Sequence, residues 1–331
     1  MSRSSTTSAA PESAPAQPVE YDDVVARSTQ ASIFASSWWL DAVAPGAWRA
    51  HVADGAAWPT VVRRSRFGDV HVGAPMTPYL GPLLTPGTGV GRRSREIEQL
   101  EALLDRIGSH AHLEAACSPA FDYWAPLHWH GFGQTTHYTW RLPDVGDPEA
   151  VFAGVRENVR REVRKARKRG IVVEDGTLAD YLGVHEQTAA RQGRLESARS
   201  NVAALERVDA AAAERDARTV LVARDGDGRI HAGGYFVHDE RWTYYLAGGS
   251  DPDVRTSGAA SLVLWEGIER AGRRGTGFDF EGSMLRHVER FVRAFGGVPT
   301  PYSLVRRTPS RPFAAARALK RAALAARRRE R

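Results

Sequence analysis

Twice along this 331-residue chain the same mixture of elements recurs, and this recurrence narrows the fold more than any single motif. The clearer copy starts near Pro148. Phe152, Val155, Val159, Val163 and Ala166 stand at helical spacing, which predicts a helix over 148–169, stopped by Gly170. The strand I-V-V-E-D follows, then a helical region reaching Arg215. Three successive strands come next: T-V-L-V-A-R, I-H-A-G-G-Y-F-V and W-T-Y-Y-L-A-G-G. The first two are joined by D-G-D-G over 225–228, a hairpin turn signal. A helix over 256–273, the strand G-F-D-F-E, a helix over 285–295 and the strand P-Y-S-L-V-R close the unit.

The stretch before it is a shorter version of the same pattern. S-S-W-W-L-D-A-V (Ser36 to Val43) reads as a short capped helix. W-R-A-H-V, P-T-V-V-R-R-S-R-F and V-H-V-G-A alternate as an antiparallel meander. A long Pro/Gly loop from Met76 to Gly91 is too irregular for an element, and such loops inside compact domains are often functional. A helix over 94–108 and strands over 111–116 and 135–142 complete this first copy, and the turn-rich Pro143 to Pro148 marks a boundary. The expected class is α+β, with mixed sheets flanked by helices in two similar halves over 21–143 and 144–307. A Ser/Ala/Pro-rich tail over 1–20 is expected to be disordered, and 308–331 to form a basic helical tail.

An apolar content of 42% suffices for a real core. The single cysteine, Cys117, cannot form an internal disulfide and reads as a small buried side chain. No apolar run approaches the length of a membrane span, and the N-terminus lacks the apolar core of a signal peptide, so the cytoplasm is the default location. The net charge of +6 is concentrated in two places. One is 156–169, with eight basic residues against two acids; the other is the C-terminal run A-R-A-L-K-R-A-A-L-A-A-R-R-R-E-R. Such patches suit phosphate-bearing partners: a nucleotide cofactor, RNA or anionic headgroups. The C-terminal run reads first as a solvated helix face, with peripheral membrane contact as the alternative.

Chemistry is concentrated near the end of the second copy. In F-D-F-E-G-S-M (Phe278 to Met284), Asp279 and Glu281 are two residues apart and so share one face of a strand. Two carboxylates so close cannot both ionise cheaply, so one pKa should rise towards neutrality and suit proton removal from an attacking ammonium. Glu281, at the strand end, is the stronger candidate for the base. The competing structural reading pairs Glu281 with Arg286 or Arg290 and buries Asp279 in a polar network. Tyr244, Tyr245 and Tyr302 are alternative proton donors to a leaving group. Upstream, R-T-S-G-A-A (Arg255 to Ala260) opens a helix behind a strand, and small residues there let backbone N–H groups approach a phosphate. The alternative is that Gly258 and Ala259 only permit tight packing. His128, His130 and His137 have no carboxylate or cysteine partner at a zinc-like spacing, and no metal is expected.

N-V-R-R-E-V-R-K-A-R-K-R-G-I, A-G-G-Y-F-V-H-D, Y-Y-L-A-G-G-S-D-P, F-D-F-E-G-S-M and V-E-R-F-V-R-A-F-G together resemble the FemAB-like branch of the GNAT (Gcn5-related N-acetyltransferase) superfamily. P-Y-L-G-P in the first half is also similar. The resemblance implies two tandem GNAT-like halves, a bacterial setting and an N-acyltransferase using acetyl-CoA or another acyl-CoA as co-substrate. Arg255, Ser257, Gly258, Ala259 and Ala260 match the R-x-x-G-x-A turn that cradles the donor's pyrophosphate. Glu281 would then be the base, Asp279 would tune it, and Tyr245 is a further catalytic candidate. Arg160, Arg164, Lys165, Phe291 and Arg293 are expected to bind the acceptor, a small-molecule or cell-wall-precursor amine. Some members of the branch use aminoacyl-tRNA and carry a Phe-Lys pair where this chain has Phe291 and Val292, followed by Arg293. Aminoacyl transfer from tRNA is therefore the second reading, and a non-catalytic scaffold that lost its cofactor the third.

Overall fold

The computed structural model describes residues 18–85, 87, 89–191, 195–282 and 284–329, so the expected N-terminal tail lies outside the described residues up to position 17. The first half comprises helix α1 (Pro18–Arg27), α2 (Ser37–Val43), strands β1 (Trp48–Ala53), β2 (Ala56–Ser65) and β3 (Gly68–Val72), α3 (Arg92–Ile107), β4 (His112–Ala116), α4 (Ala125–Trp129) and β5 (Gly133–Leu142). The second comprises α5 (Pro148–Gly154), α6 (Glu157–Lys168), β6 (Val172–Asp175), α7 (Leu178–Arg191), α8 (Leu195–Ala213), β7 (Arg218–Arg224), β8 (Ile230–His238) and β9 (Trp242–Ser250). It continues through α9 (Ala259–Arg274), β10 (Gly277–Asp279), α10 (Arg286–Val292), β11 (Val298–Arg307) and α11 (Arg311–Arg329).

All eleven strands join one sheet, in the order β1-β2-β3-β4-β11-β5-β10-β9-β8-β7-β6. The expected sheets are thus continuous across both halves. In each half an antiparallel run ends in one parallel pair, β3 with β4 and β9 with β10. The order then reads symmetrically about the centre, where β5 and β11 pair antiparallel from Val298↔Arg141 to Arg306↔Gly133. Each half sends its last strand to the other: β11 lies against β4, and β5 against β10.

Helices α7 and α8 cover one face of the second half's sheet, around Tyr181, Val208, Tyr235 and Tyr244, and the same cluster continues through α2, which packs on α8, to α1 on β1 and β2 of the first half. Helices α6, α9 and α10 cover the other, around Val163, Val263, Phe236, Phe278 and Phe295. Alternation along the strands sends neighbouring side chains to opposite layers. A third cluster, with Trp58, Leu100, Leu103 and Val305, packs α3 on the first half.

Two expectations for helices are corrected. The predicted helix over 148–169 is two helices. Asp147 caps α5 by accepting from the N–H groups of Glu149 and Ala150, but Val155 and Arg156 are extended, with ψ of 138° and 142°. The Arg156 N–H donates to the Ala294 carbonyl at 2.9 Å, so tertiary pairing wins over helical periodicity there. Likewise the helix predicted from 256 begins at Ala259, because Pro252–Ser257 is a 3-10 segment and Gly258 adopts a left-handed φ of 87°.

Candidate functional site

Strands β9 and β10 pair over only three residues, Trp242 to Tyr244 against Gly277 to Asp279. β9 then continues to Ser250 while β10 stops, so the sheet opens into a gap lined by β9 backbone on one side. Phe280 N–H still donates to the Trp140 carbonyl at 2.9 Å, but Glu281 and Gly282 turn left-handed, with φ of 56° and 53°. Glu281 therefore lies beyond the strand rather than at its last rung. A side chain in that region is uncommon and costs on the order of 1–3 kcal/mol. Gly282 has no freedom to differ: a Cβ there would sit 2.2 Å from the Tyr138 carbonyl oxygen.

Asp279 is fully buried and saturated. Arg141 Nε donates to its Oδ2 at 2.7 Å, Thr139 Oγ1 to its Oδ1 at 2.5 Å, and the Glu281 N–H to Oδ1 at 2.8 Å. The Tyr79 hydroxyl stands 3.5 Å from Oδ2. Arg141 also lies over the Trp242 ring, 4.3 Å from its centroid. Glu281 is the reverse case. Its Oε1 is sealed from solvent and has no hydrogen-bond partner among the described residues. Burial, and then the nearby Asp279 charge, push its carboxyl well above the usual 4.5. The conflict expected between the two carboxylates thus falls on Glu281. Arg286 and Arg290 are not among its hydrogen-bond partners.

Glu281 lines a cavity of about 360 Å³ at the gap. Thr77 and Pro78 of the Pro/Gly loop, His185 of α7, Leu205 of α8 and Leu246 of β9 form other walls. Both halves of the chain therefore build it. His185 Nδ1 is 2.9 Å from the Tyr181 hydroxyl. Tyr302 of β11 packs edge-on against Tyr79 at 5.1 Å, and burial raises its phenol to about 12. Tyr79, Thr139, Arg141 and His185 were not singled out by sequence reasoning. The available signals were the Pro/Gly loop itself and the alternation that puts Thr139 and Arg141 on one face of β5.

Of the other sequence-derived proton donors, Tyr244 shares the layer of Tyr181 and Tyr235 and its hydroxyl donates to Asp239 at 3.2 Å, whereas Tyr245 and the expected donor and acceptor residues lie on the other face. Tyr245 packs on Phe236, 5.4 Å between centroids, in the layer of α9, and its burial raises its phenol to about 12. Of the expected pyrophosphate turn, Arg255 and Ala260 are exposed, whereas Ser257, Gly258 and Ala259 are buried. The Ala259 N–H donates to Ser257 Oγ at 3.3 Å. A Cβ on Gly258 would meet the Glu162 carbonyl oxygen at 2.2 Å, because α6 crosses directly over the turn. The arginine face of α6 is internally paired: Arg160 and Arg164 with Glu157 at 2.7 and 3.1 Å, and Lys165 with Glu162. Phe291 packs on Phe295 at 5.4 Å, and Arg293 pairs with Glu289 at 3.0 Å. The structure thus brings Asp279 and Glu281 together and groups α6, Gly258, Phe291 and Tyr245 across the sheet from them.

Residues 153–293 match the family described as acetyltransferase (GNAT) domain. FemX is similar over 87% of this chain and 96% of its own, with a TM-score of 0.64 at 13% identity. The C-terminal domain of a putative lysylphosphatidylglycerol synthetase from Agrobacterium fabrum covers 90% of this chain and 94% of its own, with a TM-score of 0.54 at 13% identity. L-PGS from Bacillus licheniformis covers 92% and 95%, with a TM-score of 0.51 at 12% identity. No curated protein matches. The second half thus carries the GNAT acyltransferase fold. Over most of its length the chain shares the fold of these proteins.

Proposed function

We propose that this protein transfers an acyl group from an activated donor to an amine, with Glu281 taking the proton. The observation that carries this reading is the unpartnered, sealed Oε1 of Glu281 at a cavity beside the β9–β10 gap. A carboxyl whose pKa is raised by burial and a like charge is a better base than an ordinary glutamate at neutral pH. The amine nitrogen attacks the donor's carbonyl carbon, the bond to the leaving sulfur or oxygen breaks, and Glu281 accepts the proton shed by nitrogen. That proton then returns to the leaving group, for which Tyr302, packed on Tyr79, is the candidate relay. Asp279 fixes the Glu281 backbone and keeps its acidity low.

The gap separates the cavity face from the α6 face, and on this reading the acceptor takes the cavity side and the donor the α6 side. On this reading Arg160, Arg164, Lys165, Phe291 and Arg293 meet the donor rather than the acceptor. The first donor is an acyl-CoA. Arg255 and the start of the sixteen-residue α9 would face its pyrophosphate, and the fit is partial because α6 fills the open side of Gly258. That same observation favours a second reading, in which the donor is aminoacyl-tRNA and α6 meets its phosphates. A cytoplasmic location, where both donors are found, goes with either. The acceptor would be an amine of a small molecule or a cell-wall precursor.

Glu281→Gln tests the transfer. It keeps the shape and removes the proton acceptor, so turnover should fall on the order of 10²–10⁴-fold with donor affinity and fold intact. A well-folded variant with near-native turnover removes Glu281 from the mechanism. Thermal shifts with acetyl-CoA and with charged tRNA separate the two donors.

A further inference from the structure

We infer that α11 is a docking helix for an anionic bilayer surface. It follows β11 after three residues, and among the described side chains it is held to the body through its first two turns. Phe313 packs edge-on against Phe67 at 6.2 Å and stacks on His112 at 5.5 Å. Arg317 donates to Glu114 Oε2 at 2.9 Å and contacts His112. From Ala318 to Ala323 every residue is exposed, and Leu319 is 73% exposed. The helix therefore leaves the body while its sequence is still regular.

Its charge is out of proportion to the rest of the molecule. From Arg311 to the end there are eight Arg or Lys against one Glu, whereas the whole chain carries +6. Everything before Arg311 therefore sums to −1. A field this one-sided orients the molecule towards a negatively charged surface, and each cation near such a surface strengthens binding about fivefold.

The side chains decide which polyanion fits. The segment 311–331 contains only Arg, Lys, Ala, Leu, Pro, Phe and Glu. It offers no Asn, Gln, Ser or Thr for base edges, and its one aromatic, Phe313, is spent on the body. Arginine-rich segments also bind RNA through phosphates and guanidinium stacking, but RNA gives no role to an exposed leucine among alanines. Here Ala314, Ala315, Ala318, Leu319, Ala322 and Ala323 are exposed beside Lys320 and Arg321. Small apolar residues among cations suit a helix lying in the headgroup layer. Among the described residues no helix is long and apolar enough to cross a membrane, so the attachment is peripheral and reversible.

The test is co-sedimentation of the full chain with vesicles of phosphatidylcholine alone or with phosphatidylglycerol at about one third. Binding is expected to the anionic vesicles only and to weaken in high salt. Lys320→Gln with Arg321→Gln should weaken it on the order of 30-fold. Leu319→Ser, which leaves every charge in place, should weaken it several-fold. All three positions are exposed, so circular dichroism should show an unchanged fold. No binding, or binding indifferent to the double substitution, overturns the proposal. Stronger binding to transfer RNA than to vesicles, with no effect of Leu319→Ser, overturns it in favour of a nucleic-acid surface.

Discussion

Two left-handed turns follow neighbouring strands of the same sheet, and they are put to opposite uses. Behind β9, Gly258 (φ 87°) lets α6 press its backbone against the turn. Behind β10, the non-glycine Glu281 (φ 56°) accepts an unfavourable conformation and presents an unpartnered carboxyl to a cavity. Glycine at a motif spacing reports only that a Cβ is unwelcome; it does not say whether the intruder is a ligand or a helix. Glutamate held left-handed, with its N–H on Asp279 Oδ1, is the more telling sign, because a side chain is retained where glycine would be unstrained.

The largest stability effect expected along this contrast comes from Asp279. Asp279→Asn breaks its buried pair with Arg141 and leaves that cation uncompensated, at a cost of about 3–5 kcal/mol. It also removes the like charge that raises the Glu281 pKa. The acid limb of the pH–rate profile should therefore move to lower pH, provided the variant is assayed below its melting temperature. An unmoved limb would mean that the limb does not report Glu281.

Gly258→Ala should cost about 3 kcal/mol, from a left-handed alanine and a clash with the Glu162 backbone that no rotamer relieves. The loss should appear in chemical denaturation without any donor present. If stability holds and only donor binding falls, the turn serves a ligand after all, and the contrast with Glu281 fails. For the same reason Gly258→Asp cannot test donor binding, because it would fail in packing first.

Glu281→Gly should do the opposite and stabilise the fold by about 1 kcal/mol while abolishing turnover. The effect depends on pH with a definite sign. The folded protein holds the Glu281 proton more tightly than the unfolded chain, whose carboxyl titrates near 4.5. Its contribution is fully present below that pH and is lost as pH rises through the folded value. The stability gain of Glu281→Gly should therefore grow from pH 4.5 upwards. A gain independent of pH would leave backbone strain as the whole cause.

These two turns also mark where the sequence could be read and where it could not. Spacing alone predicted that Asp279 and Glu281 would lie together, but β10 ends at Asp279 and a left-handed turn, not strand alternation, sets the direction of Glu281. The periodic stripe of Val159, Val163 and Ala166 gave the buried face of α6. Neither pattern could show that Arg141 and Thr139, about 140 residues away, would clasp Asp279. That contact exists because β5 crosses to the second half and pairs with β10. The exchange of β5 and β11 has no local signature, and hydrophobic alternation reads the same whichever strand lies alongside. The filling of Gly258 by α6 was hidden for a similar reason: the motif was legible, its neighbour was not.

The smallest expected effect concerns that neighbour. Replacing Arg160, Arg164 and Lys165 together with Gln breaks three pairs within one helix, to Glu157 and Glu162. Such partly exposed pairs contribute little, so the fold should stay intact in chemical denaturation. On the proposed arrangement the helix meets the donor on the face opposite Glu281. The triple variant should then raise the KM for donor and flatten its dependence on salt, because fewer counterions are exchanged. Its kcat at saturating donor should stay near native, since none of the three side chains reaches the cavity walls. A fall in kcat at unchanged KM would mean that α6 acts on the transfer step itself, and the division of labour between the two faces would have to be redrawn.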